Sequence, residues 1–407
     1  MSQTHTVLSI VRNSGWLRLT DIKELQRVDM GLCVGCREVV GFHVRVTKEM
    51  PSLLFEAMIH ERGTDGSGVS CVPLLRPQTM TWEIEGLTFK GIDNQTINYE
   101  ETKGTLQERT NTVVCPLSKI SQPLDGMVWP ASLHELTFGD DFNVAVDDIL
   151  WPNSLQRLTF GGGFNRGVDR VQWPPGLLQL TFGASFDQAL EGVEWPEGLE
   201  ALEFGRKFDQ PIVAVVWPTR LKKLTFGAAF NQAVNGLVLP SGLQQLTFGK
   251  LFNQDVERVK WPAGLRQLTF GAFFNKELER VLWPRGLESL SFGVYFRKEV
   301  EGVMWPEGLR ELTFGFFFDQ PVERVAWPAG LQQITFGRCF NQAVAGVSWP
   351  TGLEQLTFGR NFNQPVGGVV WPGRLQRLKF GVLFDQSLEG MVKPAGLHVA
   401  YPKFTKQ

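Results

Sequence analysis

No run of about eighteen or more apolar residues occurs in this 407-residue chain, so no helix in it is expected to span a bilayer. Neither sign of charge dominates. A net charge of −2 argues against nucleic acid or an anionic membrane as the main partner. Cysteine is scarce: five residues do not make a disulfide framework, which points to a cytoplasmic compartment, with the nucleus as the alternative. The first fifteen residues, "MSQTHTVLSIVRNSG", lack the basic start and long apolar stretch of a secretory leader. Also missing are a Ser-His-Asp grouping, a phosphate-cradling glycine loop and an HExxH helix. No catalytic activity, cofactor or metal is therefore expected.

What the chain has instead is repetition. Proline recurs at 130, 152, 174 and onward to 394, every 22 residues without an insertion, and Trp precedes it in eleven of thirteen cases. Leu239 and Lys393 are the exceptions. Counted from the Trp slot, Leu stands at plus four, Leu or Ile at plus seven, Phe at plus nine, Gly at plus ten and Phe at plus thirteen. Asn or Asp fills plus fourteen in every unit but one, where Arg297 stands, and aliphatic residues fill plus seventeen and plus twenty. Twenty-four of the 31 phenylalanines lie in two of these columns, which marks them as stacked core.

Each column has a physical reason. Leu and Phe at plus seven and plus nine share one face of a short strand, with an outward Thr between them. The glycine ends the strand, for a positive φ or a close backbone approach. Asn or Asp after the second Phe turns the chain and can bond backbone groups opened by the turn, making a side-chain ladder when repeated. Proline fixes φ at the start of the next turn. One such unit cannot bury its own apolar face, so units must stack with strands roughly 4.8 Å apart. The expected fold is a repeat solenoid with a parallel β ladder on one face and irregular return segments, behind a small α/β N-terminal module.

The pattern "LxxLxFGxxFNQPVxxVxWPxxL" resembles the FNIP-repeat family, a relative of the leucine-rich repeats; "FNQP" at 362–365 and "FDQP" at 208–211 and 318–321 carry it most directly. Here Gln takes the place of Ile in the tetrad, and Trp replaces the more usual Leu before the proline. The resemblance implies a leucine-rich-repeat-like scaffold for protein–protein contacts, without enzymatic activity.

The expected organisation is an N-terminal module over 1–105, a degenerate capping repeat over 106–128 with Ile120 in a Phe slot, about twelve repeats over 129–398, and a tail over 399–407. Within the module, 16–32 reads as an amphipathic helix with an Asp21/Glu24 capping box. That string is similar to the second half of an F-box, which would imply a Skp1-like adaptor as partner and a substrate-recognition role in a ubiquitin ligase; a plain helical cap is the other reading. "VVGFHVRV" (39–46) reads as a strand, "SLLFEAMIH" (52–60) as helix-like, 61–70 as a loop and 94–112 as a linker. Cys33 and Cys36 form a CxxC without a second pair and read as buried small side chains rather than a zinc or redox site.

A protein partner is expected on the strand face and its rim. The plus-six column varies and is polar, with Gln245, Gln267 and Glu311 among its members. The two rim columns, plus eleven and plus twelve, turn apolar in four successive units: Leu251, Phe273, Val294 with Tyr295, and Phe316 with Phe317. Pointing outward these form a binding patch; pointing inward they extend the core.

Overall fold

The computed structural model describes the backbone of eight strand segments between Val7 and Cys115, then Trp129 and residues 133–400 with their side chains. All regular elements among the described residues are strands, and no helix among them is long and apolar enough to cross a membrane. The chain divides into two compact units, Met1–Gly183 and Ala184–Gln407.

In the first unit, β1 (Val7–Arg12), β2 (Gly15–Leu17), β4 (Met58–Arg62) and β5 (Val69–Pro73) make an antiparallel sheet in the order β2-β1-β4-β5. β3 (His43–Val46) runs parallel to β6 (Met80–Ile84), which turns antiparallel into β7 (Leu87–Gly91) and then β8 (Thr110–Cys115). Three sequence expectations are corrected here. Trp16 and Leu17 belong to a hairpin strand paired with Val11 and Ile10, not to a helix; residues 18–32 lie outside the described residues. Met58, Ile59 and His60 are strand because β4 is paired on both sides, and cross-strand pairing overrides helix propensity. The linker reading fails at 110–112, where β8 already pairs with β7. Strand at 43–46 agrees with the alternation read there. Cys33, Cys36 and Ile120 lie outside the described residues.

β8 runs parallel to β9 (Glu135–Phe138), followed by β10 (Arg157–Thr159) and β11 (Gln179–Thr181). Val113 pairs with Leu136, a step of 23 residues, whereas Leu136 pairs with Leu158 in the regular step of 22. The capping turn therefore carries one extra residue, and Val113 rather than Val114 stands opposite the Leu column. In the second unit ten parallel strands run from β12 (Ala201–Glu203) at the regular step to β20 (Arg377–Lys379) and β21 (His398–Ala400). The last step is 21 residues, Val399 pairing with Leu378, so the ladder goes one strand past the point where the sequence pattern dissolves.

Each strand of the second unit is three residues long. In Gln245–Thr247 the flanking Gln and Thr face outward and Leu246 is buried. Inside, the two phenylalanines of one turn stack at 3.9 Å (Phe248–Phe252) to 4.2 Å (Phe292–Phe296). The plus-nine rings of successive turns stack at 5.4 Å (Phe314–Phe336) to 5.9 Å (Phe204–Phe226). Tryptophans stack in their own column, Trp305 on Trp327 at 6.2 Å, and meet the Phe column edge-on, Phe314 to Trp327 at 73°. The indole N–H groups of Trp305, Trp327 and Trp349 are buried without an acceptor. Each such buried donor costs free energy that the packing of the surrounding rings outweighs.

The glycine at plus ten is explained by close approach rather than by φ. None of the positive-φ glycines belongs to that column. A Cβ added to Gly271 or Gly315 would land on the carbonyl oxygen of Gly249 or Gly293 in the preceding turn. Gly302, in the return, is the opposite case: its φ is +80° and a Cβ there meets open space, apart from the Glu279 Cγ at 3.9 Å. Gly271→Ala should thus destabilise by about 3 kcal/mol or more, because backbone must move, and Gly302→Ala by only about 1–2 kcal/mol from left-handed strain. Urea unfolding of the two variants checks this; equal losses would remove the close-approach account.

Candidate interaction surface

Two ladders run along the outside of the second unit. The first is the amide ladder expected from the sequence. Asn231 Oδ1 accepts the Asn253 N–H (2.9 Å), Asn253 Oδ1 accepts the Asn275 N–H (2.9 Å), and Asn275 Oδ1 accepts the Arg297 N–H (2.9 Å). It resumes at Asp319, whose Oδ1 accepts the Asn341 N–H at 2.8 Å, and continues through Asn363. Gln side chains one residue on cross-brace it, as where Gln254 Nε2 donates to the Asn231 carbonyl (2.8 Å). Arg297 breaks the ladder, having no oxygen to offer the Asp319 N–H. Its guanidinium lies instead over the Phe317 ring, 4.7 Å from the centroid.

The second ladder is the rim. Backbone bonds hold these columns at the turn spacing: the Phe273, Tyr295 and Phe317 N–H groups donate to the Lys250, Ala272 and Val294 carbonyls (2.9, 2.8 and 2.9 Å). The side chains therefore stack outside the core, Phe273 on Tyr295 at 4.7 Å and Tyr295 on Phe317 at 5.1 Å, with planes 20° and 23° apart. Phe316 packs edge-on to Phe317 (4.7 Å, 63°) and carries the Arg338 guanidinium over its ring at 5.2 Å. Leu251 is 44% exposed, Val294 39%, Phe273 and Tyr295 38% and Phe316 36%; Phe317 is half-buried. The outward alternative is the one realised, since the core columns beside them are already filled by Phe274, Phe296 and Phe318, all fully buried.

Gln245, Gln267 and Glu311 are exposed at the first position of their strands, with Gln245 paired to Gln267 across the ladder. Sequence reading singled out Arg297 as the break in its column but did not connect it to Phe317, because the two are in different turns and the side chain must leave its own column. It also missed the residue before the Trp slot, where Val216 and Val238, Leu282 and Met304, and Val370 and Val392 are exposed pairs, Val216 at 81%. Lys260, Ala326 and Ser348 interrupt that column, so no continuous patch forms there. Among the described residues no group of His, Cys, Asp and Glu is placed to hold a metal ion.

Residues 186–229, two successive units, match the FNIP Repeat family model. The chain carries FNIP repeats. Among solved structures it is similar to CroV588, described as a circular LRR protein, at 40% identity and a TM-score of 0.63, over 67% of this chain and 40% of that one. The chain thus spans about two-fifths of the length of that relative. It is also similar to an internalin, inlF, from Listeria monocytogenes at a TM-score of 0.51 and 13% identity, over 73% of this chain and 87% of that one, a likeness of fold alone. No curated protein matches the chain. The FNIP array is a leucine-rich-repeat-like parallel solenoid.

Replacing Arg297 with Asn restores the amide ladder at the cost of one cation–π contact. A ladder bond contributes about 1 kcal/mol and an exposed cation–π contact about 0.5–1 kcal/mol, so Arg297→Asn should leave stability unchanged or slightly raised. Asn253→Ala, which removes an acceptor elsewhere in the ladder, should cost about 1 kcal/mol. Chemical denaturation distinguishes the two; a clear loss for Arg297→Asn would make Arg297 a structural residue.

Proposed function

We propose that the FNIP array is a non-catalytic scaffold that binds a protein partner through its strand face and rim, with the ladder of Phe273, Tyr295 and Phe317 at the centre of the contact. The leucine-rich-repeat-like fold supports the general reading, since repeat solenoids present long surfaces of this kind. The observation that carries it is the rim itself. In other turns the same columns hold small or polar residues, such as Ser185, Ala229 and Asn361, and those turns have the same buried core. Packing does not demand aromatic side chains there, and contiguous exposed aromatics next to arginine are the composition of interaction hot spots. The ubiquitin-ligase alternative rests on residues 16–32, of which only Trp16 and Leu17 are described, as strand.

Capture with the full chain as bait tests this. The double variant Tyr295→Ala with Phe317→Ala should lose the partners retained by the unmodified chain. Its stability should fall by no more than about 1–2 kcal/mol, against about 3–5 kcal/mol for the core change Phe274→Ala. Retention of the same partners by the double variant, or their loss on Val216→Ser with Val238→Ser instead, would put the contact elsewhere.

A further inference from the structure

The rim of the second unit is charged in one sense only. From Ala184 to Leu383 its two columns contain Arg206, Lys207, Lys250, Arg338 and Arg360 and not one Asp or Glu, in a chain whose net charge is −2. All five cations are exposed. None of them takes part in the ion pairs found among the described residues, which involve other basic side chains such as Lys222 with Glu200 and Lys298 with Glu277. Past the core phenylalanine two carboxylates are engaged: Glu277 by Lys298 at 2.7 Å, and Asp319 by the Asn341 N–H (2.8 Å) and the Gln342 side chain (2.9 Å). Asp255 and Glu299 stand in the same column as Glu277, four residues past the second rim position, and take part in none of the ion pairs found among the described residues.

The aromatic ladder has the same electrostatic preference. Tyr295 has a ring on each side, so neither face is open, and Phe317 takes Tyr295, the Arg297 guanidinium and Phe316. At its centre the ladder therefore offers the edge of Tyr295 to solvent. An aromatic edge is the positive part of the ring quadrupole and favours a carboxylate beside it. Together with the flanking cations, which add strength to any anion seated there, the geometry points to an acidic segment of a partner protein, in extended conformation, carrying aliphatic or aromatic residues between its Asp and Glu. Arg206 and Arg360 are seven turns apart. At roughly 4.8 Å per turn that is about 34 Å, the length of about ten residues of extended chain. Single-stranded nucleic acid is the competing anion, but it binds such proteins by stacking bases on open aromatic faces. Here both faces of Tyr295 are closed, at 4.7 and 5.1 Å, and the backbone bonds between turns hold the rings there.

This inference rests on the proposed binding role and names the partner's chemistry. It is tested by fluorescence anisotropy on the full chain with three labelled probes: a peptide of about ten residues alternating Glu with Leu and Phe, the same peptide with Lys for Glu, and an oligo-dT of similar length. The acidic peptide should bind, and its affinity should fall as salt rises. Arg338→Glu with Arg360→Glu should weaken it at least about tenfold, and Tyr295→Ala with Phe317→Ala by a similar factor. Equal or tighter binding of the Lys peptide or the oligonucleotide overturns the assignment, as does an acidic peptide indifferent to charge reversal. If partner capture depends on Tyr295 and Phe317 while the acidic peptide does not bind, the assignment of chemistry fails and the binding role stands. If capture does not depend on them, the contact lies elsewhere and the role proposed for the rim fails as well.

Discussion

The contact on which the array depends is between a glycine and the carbonyl oxygen of the glycine one turn earlier. Nothing larger than hydrogen fits between Gly271 and Gly249 or between Gly315 and Gly293. That approach lets the turns lie at β spacing on both sides of the strand, not only along it. Everything repeated in the molecule inherits this pitch. The plus-nine phenylalanines meet ring on ring, the Asn and Asp side chains reach the next backbone N–H, and the tryptophans stack behind the return. A side chain in any of these columns has neighbours of its own kind above and below it, so the core is a set of one-dimensional stacks rather than an irregular packing.

The same pitch acts on residues that are not core. Phe273, Tyr295 and Phe317 stack at 4.7 and 5.1 Å because the backbone sets them that far apart, and the stacking closes both faces of the central Tyr295 ring. Arg297 adds to this surface by leaving the amide ladder. The turn gives up a side-chain acceptor that most units retain and gains a cation against Phe317. A local rule broken beside an exposed aromatic cluster is where function is to be sought in an otherwise uniform repeat.

The fold was legible because the period is strict: thirteen prolines at one spacing put every apolar residue in a column, and the columns alternate inward and outward as strands require. The glycine was legible as a requirement, but close approach and positive φ demand the same residue, and it is the neighbouring turn that distinguishes Gly271, against a carbonyl, from Gly302, at φ +80°. Counting by 22 failed at both ends, where Val113 pairs with Leu136 and Val399 with Leu378, since a cap is freed from the period by having a neighbour on one side only. In the N-terminal region, Met58, Ile59 and His60 read as helix-like and are strand by pairing with Val7–Ser9, about fifty residues earlier, and with the next strand, Val69–Pro73. At the rim the residues were legible and their orientation was not, because a Phe beside a core Phe fits either side of the turn until the stack is built.

The aromatic rim is a surface laid over a fold that does not need it. Its most direct test exchanges the ladder for residues that the same column holds in other turns: Leu251→Ala as at Ala229, Phe273→Ser as at Ser185, Tyr295→Ala, and Phe317→Asn as at Asn361. Urea unfolding of this variant, followed by circular dichroism beside the parent chain, should show one cooperative transition with the same denaturant dependence and a midpoint lowered only slightly. Loss of cooperativity, or collapse of the transition, would make the ladder part of the core and contradict the account.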